Sequence, residues 1–469
     1  MSNFLKNNPF INKNKKISFT FDGKKIFGFK GDTIASALLR NKIKLIGRSF
    51  KYHRPRGIYT CGIEEPNALV QIVSEHNEPN TRATVKEIYD GMIVESQNRW
   101  PSLKFDIGSI NNLLSPLFSA GFYYKTFMGP KGFWKNIYEP LIRRTAGLGR
   151  PPKEFRSRSV HHNHNVDVVI VGGGLSGLIA AKKIINTNYD VLLIEQDHFL
   201  GGILKNSNKI EKIDNEDSQE WVKKVSKEIS DSKNIKVLKS TQLSSYNYDN
   251  YLIAVEDKSS GELPGNHKPE LILHKIRTKN TILANGHIER LICFRNNDVP
   301  GIMLASSFEK YVHRYGVLPD ESPVIFTNNS STASLVHSLI NLNFKPLAYI
   351  DVRKESLIDK KLINSLKKNN IPFYPESEVE GCEGGNKLKK IFIKKKGNST
   401  IKLNASMLCV SGGFNPDVNL FTQSKGLINW NEKYLTFVPE KAFQNTVVIG
   451  SASGNFDFNN LNDEINKKL

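Results

Sequence analysis

The sequence predicts an α/β protein, with two parallel-sheet units of the nucleotide-binding kind behind a smaller α+β domain. Three observations predict it. Residues 166–196, VDVVIVGGGLSGLIAAKKIINTNYDVLLIEQ, run strand, glycine turn, helix, strand and acidic end. Residues 323–353, PVIFTNNSSTASLVHSLINLNFKPLAYIDVR, repeat that order without the glycines. Residues 17–74 give a hairpin, a helix, a loop and a further strand.

The N-terminal elements come first. ISFTFDGKKIFGFK alternates apolar and polar residues and breaks at Asp22-Gly23, a hairpin signal. Asp32 or Thr33 can cap the apolar helix IASALLRNKIKL. The loop RSFKYHRPRGIYTCGIEEPN and the strand NALVQIVS complete the order of a β-grasp, ferredoxin-like domain, expected over 1–96. Plant-type ferredoxins hold a cluster on this loop through Cys-x4-Cys-x2-Cys. Counting from Cys61, those positions hold Pro66 and Leu69, so no iron–sulfur cluster is expected. The basic run Arg48, Lys51, Arg54 and Arg56 is either a solvated loop or a clamp on another domain or a flavin phosphate.

Residues 97–165 form an aromatic-rich wrapping segment and linker. The stretch is too apolar for a free linker and too broken by Pro and Gly for one helix, so it is expected to cover another domain or a partner. His161, His162 and His164 close it. Their spacing fits no zinc signature and no further ligands lie nearby in sequence, so they read as polar linker and no metal is expected.

The first nucleotide-type unit is expected over 166–317 and 405–469. Val168–Val171 form a strand buried on both faces. Gly172, Gly174 and Gly177 then give Gly-x-Gly-x-x-Gly: a tight turn, room for a pyrophosphate, and close helix packing. Glu195, 18 residues past Gly177, ends the next strand where a ribose diol would bind. A second diglycine follows at Gly201-Gly202, then a helix over 216–233 and the strands IKVLKSTQL, YLIAVED and LILHKIRTKNTILANG. Residues 318–404 are the inserted, degenerate second unit, whose Thr327–Ser331 turn lacks glycine and so keeps a pyrophosphate away. The chain returns through ASMLCVSGGFNP and ends on TVVIGSASG. FAD enzymes of this architecture usually end that strand in Gly-Asp. Gly450-Ser451 stands here, which favours NAD over FAD.

Bulk properties exclude several classes. Net charge is +20, but the lysines are scattered among asparagines and no recognition motif accompanies them, so nucleic acid is not the expected partner. The N-terminus is polar, without a signal-peptide core, and no apolar run reaches the length of a membrane span. A cytoplasmic protein with no membrane association is expected. Cys61, Cys293, Cys382 and Cys409 form no Cys-x-x-Cys pair and read as reduced thiols.

RSFKYHRPRGIYTCGIEEPNALV, SQNRWPSLKFDIGSINNLLSPLFSAGFYYKTFM, IYEPLIRRTAGLGR, GGGLSG, NDVPGIMLASSFEKYVHRYGV, FTNNSSTASLV and LCVSGGFNPDVNLFTQSKG together resemble the α subunit of heterotetrameric sarcosine oxidase, from about residue 17 to the end. The resemblance implies an iron-free ferredoxin-like domain followed by an NAD-binding two-domain flavoprotein fold. It implies a β-type FAD-carrying amine oxidase subunit, FMN at the interface shared with that subunit, and small γ- and δ-type subunits. The activity implied is oxidative demethylation of sarcosine to glycine, with electrons passing through FAD and FMN to oxygen. The family's folate-binding, aminomethyltransferase-like domain would begin just after GSASG, where this sequence stops. It is expected to be a separately encoded chain, or lost, or absent from a complex without folate coupling. Opine oxidases and hydroxyproline dehydrogenases have α-type subunits of this length, and a non-catalytic scaffold paralogue is the remaining alternative.

Carried over residue by residue, Gly172, Gly174, Ser176 and Gly177 match the fingerprint turn, and Glu195 and Gln196 face the adenosine ribose. Gly202, Leu243, Ala284, Gly286, Gly450 and Ser451 lie on loops expected to line the rest of the site. Each also serves as an ordinary packing or turn residue. No catalytic residue is assigned.

Overall fold

The computed structural model describes residues 11–74, 77–117, 121, 129–146, 159–206, 210, 212–259, 261, 269–318, 321–397 and 399–469. The chain forms two compact units. One comprises Met1–Arg156, Gly261–Leu263 and Leu291–Ser411; the other comprises Ser157–Ser260, Pro264–Arg290 and Gly412–Leu469.

The first unit joins the small domain to the glycine-free nucleotide fold. Its N-terminal sheet has five strands, ordered Lys24–Lys30, Asn12–Phe21, Ile93–Ser96, Leu69–Ile72, Glu78–Arg82. Asp22 and Gly23 both take positive φ at the hairpin, 48° and 74°, as a two-residue turn of matching twist requires. Thr33 caps the helix Ile34–Arg40 in a reciprocal capping box with Ser36. Ile34 and Leu38 of that helix are fully buried, which stabilises the domain by roughly 2 kcal/mol each.

The rest of this unit is a five-stranded parallel sheet, ordered Ile302–Leu304, Leu408–Ser411, Val324–Thr327, Ala348–Asp351, Phe373–Tyr374. A three-stranded antiparallel sheet over 377–404 follows it. The boundaries differ from the expected insertion at 318–404. Ile302–Leu304 pairs parallel with Leu408–Ser411, so the fold starts at the Val-Pro-Gly stretch and closes only at Ser411. A single hydrophobic core runs through both parts: Phe19, Leu38 and Met92 share it with Phe308, Tyr311 and Leu335.

Two of the alternatives left open by the basic run are decided inside this unit. Arg54 makes a paired contact with Asp298 (2.9 and 2.7 Å), and Arg56 joins the same carboxylate. Burial alone would raise Asp298, but the two guanidinium groups hold it below the usual carboxylate range. Arg48 is buried and donates to the Leu103 and His53 carbonyls and to Asn386. These three arginines therefore clamp the small domain to the neighbouring fold.

Of the aromatic-rich segment, 118–120, 122–128 and 147–158 lie outside the described residues. The described parts form short helical pieces, the longest being Glu139–Ala146. Their apolar side chains are largely exposed, with Trp100 at 64%, Phe105 at 69% and Leu113 at 78%.

The second unit is a seven-stranded sheet. Two long strands, Ser159–Val171 and Leu271–Leu283, run parallel and in register from Ser159 against Leu271 to Val171 against Leu283. Their C-terminal halves join Val191–Ile194, Ile235–Leu238 and Thr446–Val448 as a parallel sheet. Tyr251–Asp257 and Thr241–Asn247 extend Leu271–Leu283 as an antiparallel ribbon. His161, His162 and His164, read from sequence as linker, lie in the first of the long strands. The helices Leu175–Ile184, Ser218–Asp231 and Leu461–Lys468 share one core with the strand residues Val168 and Ile170. Among the described residues no helix is long and apolar enough to cross a membrane.

Candidate cofactor site

The site is built on the switch from strand to helix after Val171. Gly172 has φ +103°, and a Cβ there would overlap the Ala284 carbonyl oxygen. Gly177, one turn into the helix, lies so close to Gly172 that any side chain would meet its carbonyl. These two positions require glycine: one for the turn, one for the helix to pack on the strand. Gly174 behaves differently. Its φ is −75°, open to any residue, and the nearest atom to a Cβ would be the Gly202 Cα at 3.9 Å. The space beside Gly174 is therefore not filled by protein, at the N-terminus of a ten-residue helix whose dipole favours an anion.

Glu195 lies across the turn and is 7% exposed. Its carboxylate accepts from the Gly173 amide (2.7 Å) through one oxygen and from the Asp197 amide (2.7 Å) through the other. Gly173 is absent from the sequence-based site, yet its amide orients the acid. Gly201 donates to the Gly173 carbonyl (2.8 Å), which brings the second diglycine onto the turn. Ala284 donates to the Val171 carbonyl (2.8 Å) and closes the far side.

Gly450 has φ +65° and packs on the Ser176 hydroxyl. Its amide donates to Glu464 Oε2 (3.2 Å), on the C-terminal helix. Burial would raise Glu464, but Lys468, Ser453 and Asn455 hold it below the usual range. No motif in the sequence marks this carboxylate. Its signal was the apolar pair Leu461 and Ile465 at helical spacing, both buried. The turn with no Asp after Gly450 is thus served by an acid from another element.

The structure brings Gly172, Gly174, Ser176, Gly177, Glu195, Gly202, Ala284 and Gly450 together. Gly286 (φ +85°) has nothing within 4 Å of a Cβ, and Ser451 lies half-buried in the turn that follows Gly450. Leu243 lies at a bulge two residues beyond Thr241, whose amide bonds the Glu195 carbonyl (2.9 Å). Gln196 is exposed just beyond the strand.

The corresponding turn of the other unit is filled from within. Asn329 donates to the Ser411 carbonyl (3.1 Å) and accepts from the Ser331 amide (2.9 Å). Asp351, at the position matching Glu195, is fully buried and takes a paired contact from Arg353 (3.0 and 2.8 Å). Arg353 also donates to Ser330 (2.9 Å).

In the ferredoxin-like loop, Glu65 is 2% exposed and accepts from the amides of Tyr59, Thr60, Asn67 and Ala68 and from the Thr60 hydroxyl. Cys61 is buried, and burial pushes its thiol up to about 12.

Residues 14–99 match the family described as 2Fe-2S iron-sulfur cluster binding domain, and 167–257 match FAD dependent oxidoreductase. The chain is 38% identical over 448 residues to sarcosine oxidase subunit alpha of Rhizobium meliloti (strain 1021), covering 94% of this chain and 44% of that protein. It is 29% identical over 459 residues to the subunit of the same name from Corynebacterium sp. (strain U-96), covering 95% and 42%. The chain thus spans less than half the length of these relatives. Among solved structures, L-proline dehydrogenase from P. horikoshii superposes with a TM-score of 0.61 at 20% identity, covering 95% of this chain and 71% of that one, a likeness of fold.

These matches correct the cofactor expectation. It named NAD, with FMN at a subunit interface, FAD on a partner and no iron–sulfur cluster. The N-terminal match points instead to a cluster, and the Rossmann-type match points to FAD in this chain. The Gly450-Ser451 pair does not decide between the two cofactors, and Glu464, which reaches that turn from the C-terminal helix, is held by Gly450, Ser453, Asn455 and Lys468. The space at Gly174 and the Glu195 carboxylate fit an adenine dinucleotide such as FAD. Residues 14–99 hold one cysteine, Cys61, against the four thiolates such a cluster takes, so this donor set by itself does not fit that group. The fold expectation stands: a ferredoxin-like domain ahead of a Rossmann-type, FAD-dependent oxidoreductase fold. By its identity to the Rhizobium meliloti protein across 94% of its own residues, the chain belongs to the sarcosine oxidase α-subunit family.

Proposed function

We propose that this chain is the dinucleotide-holding α-type subunit of a flavoenzyme that oxidises the CH–NH bond of a small N-methyl amino acid of the sarcosine class. The observation that carries the reading is the open space at Gly174, framed by Gly202 and faced by a carboxylate locked onto Gly173. The kinship with sarcosine oxidase α subunits supplies the reaction class.

FAD, when bound, supplies a two-electron, two-proton acceptor that takes the amine CH–NH to C=N. The chain's own residues bind and orient it. The amides at the start of Leu175–Ile184 would hold the pyrophosphate, and Glu195 would accept from the ribose hydroxyls. Gly202 and Gly450 set the walls, and Glu464 keeps the Gly450 turn in place. The exposed apolar side chains between Trp100 and Leu141 support assembly with further subunits.

The test is direct. The tag-free chain is purified, incubated with FAD, desalted, and its cofactor released by acid and quantified. About one FAD per chain is expected for a single site. A chain that retains no flavin at saturating FAD overturns the reading. Co-purified with partner subunits, the complex is expected to oxidise sarcosine, with glycine, which lacks the N-methyl group, as the control.

A further inference from the structure

Three histidines and a glutamate that the sequence holds far apart meet on the outer part of the second unit's sheet. His162 and His164 alternate along Ser159–Val171, so they share one face. His274, on Leu271–Leu283, stands opposite His162 in the parallel pairing. The His164 and His274 rings lie 5.1 Å apart by centroid, and His164 Nε2 faces His274 Nδ1 at 2.8 Å. His274 Nε2 lies 3.1 Å from Glu256 Oε2, on the adjacent strand Tyr251–Asp257. An ionised carboxylate only accepts, so His274 keeps its proton on Nε2, and His164 donates the single proton between the rings.

This contact stands where the strand has little else to hold it. Val191–Ile194 pairs only with Val168–Val171, so among the described residues 159–165 have a ladder with Leu271–Leu283 alone. Every side chain from Ser159 to Asn165 is exposed except that of His164. Its partner His274 is 1% exposed. The surroundings carry an excess of positive groups. Glu256 is already paired through its other oxygen with Lys258 (2.5 Å). The His162 ring lies 6.5 Å from that of His164 and 5.7 Å from that of His274, and Lys236, on Ile235–Leu238, bears on both. Asp190, just before Val191–Ile194, opposes them more weakly. Burial first, then Lys236 and the two neighbouring rings, hold His164 down to about 4. Burial also lowers His274, against the pull of Glu256.

We propose that the His164–His274 contact is an acid-released latch on the strand by which the chain enters this unit: proton uptake swings His164 into water and frees residues 159–165 from Leu271–Leu283, while Val168–Val171 stay paired. In the closed latch the lone pair still open to a proton is that of His164 Nδ1. An imidazolium there meets Lys236 and two imidazoles, and the carboxylate that bonds His274 is already spent on Lys258. His164 is only partly buried and relieves the repulsion by turning outward. Its departure uncovers His274 Nδ1, which takes a second proton from water. Opening therefore takes up two protons, and the sign follows. The latch is closed above the ordinary histidine value of 6.5 and is released as the pH falls from there toward about 4. The inner half has no group of this kind: Val168–Val171 are buried between two neighbouring strands and lead into the Gly172 turn.

The experiment follows backbone hydrogen exchange of the full chain by mass spectrometry at about pH 7 and about pH 5, with rates corrected for the intrinsic effect of pH. Residues 159–165 and the facing 271–277 are expected to lose protection about tenfold or more at the lower pH, and Val168–Val171 to stay within about twofold. His164→Gln keeps a donor for His274 but cannot take a charge. Its change between the two pH values is expected to shrink to about threefold or less. Circular dichroism checks that the variant folds. Equal or greater protection of 159–165 at the lower pH overturns the latch, because the charged pair would then hold more tightly than the neutral one. A loss shared by Val168–Val171 overturns it too, since the whole sheet would be yielding. So does an undiminished loss in the glutamine variant.

Discussion

The turns at Gly172–Gly177 and Thr327–Ser331 follow the same order of strand, helix, strand and acid, and they differ in what occupies the space above the helix. At the first, the side chains are missing and the acid, Glu195, is tied to the backbone of the turn itself. At the second, Asn329 and Ser331 fill the turn, and Asp351 is neutralised by Arg353. The topology is therefore not what makes a ligand site. The site arises where the sequence withholds side chains, and where the acid is oriented by amides without being paired to a cation. A fold of this kind turns into a packing domain when polar side chains take over the hydrogen bonds that a ligand would make.

The sharpest way to break the comparison is Gly177→Val. The new side chain meets the Gly172 carbonyl, and the helix must lift from the strand. A loss of about 3 kcal/mol or more is expected, together with loss of bound flavin, read by denaturant unfolding and cofactor release. A stable, flavin-loaded variant would mean that the close approach is not needed.

Next in size is Arg353→Ala. It leaves the buried Asp351 carboxylate without its cation, at a cost of about 2–3 kcal/mol. Flavin content is expected to stay unchanged, because the hydrogen bonds of this turn are made by its own side chains. If flavin is lost while the chain remains folded, the two turns are not independent.

A smaller effect tests the glycine-free fold as a packing partner. Asp298→Asn is expected to lose roughly 1–2 kcal/mol near neutral pH. The sign with pH follows from the depressed Asp298. Its contribution is present above the ordinary carboxylate value of 3.8 and is lost as pH falls through the lower folded value. Wild type and variant should therefore converge in stability once the pH lies below the folded value of Asp298. A difference that persists there would place the effect in packing rather than in the ion pair.

The two turns were legible in the sequence because each is local: strand, turn, helix and acid sit within about 30 residues, and glycine spacing reports backbone shape directly. The hairpin at Asp22-Gly23 and the cap at Thr33 were legible for the same reason. What was missed is non-local. Glu464 reaches Gly450 from a separate helix, so the acid at that turn does not show in the residues beside it. His274 pairs with His162 across 112 positions, so the histidines looked like a linker. Asp298 answers Arg54 and Arg56 from 242 or more positions away, so the sequence left a solvated loop and a clamp equally open for those arginines.

The central claim is that the space at Gly174 belongs to a ligand and not to the protein. Gly174→Ala tests it most directly, since the position has ordinary φ and a Cβ there meets no protein atom closer than 3.9 Å. The measurement pairs the unfolding free energy of the flavin-free chain with its affinity for FAD. The expected result is a stability change within about 0.5 kcal/mol and a fall in FAD affinity of at least tenfold. Unchanged affinity in the alanine variant would show that the pyrophosphate does not lie against this turn.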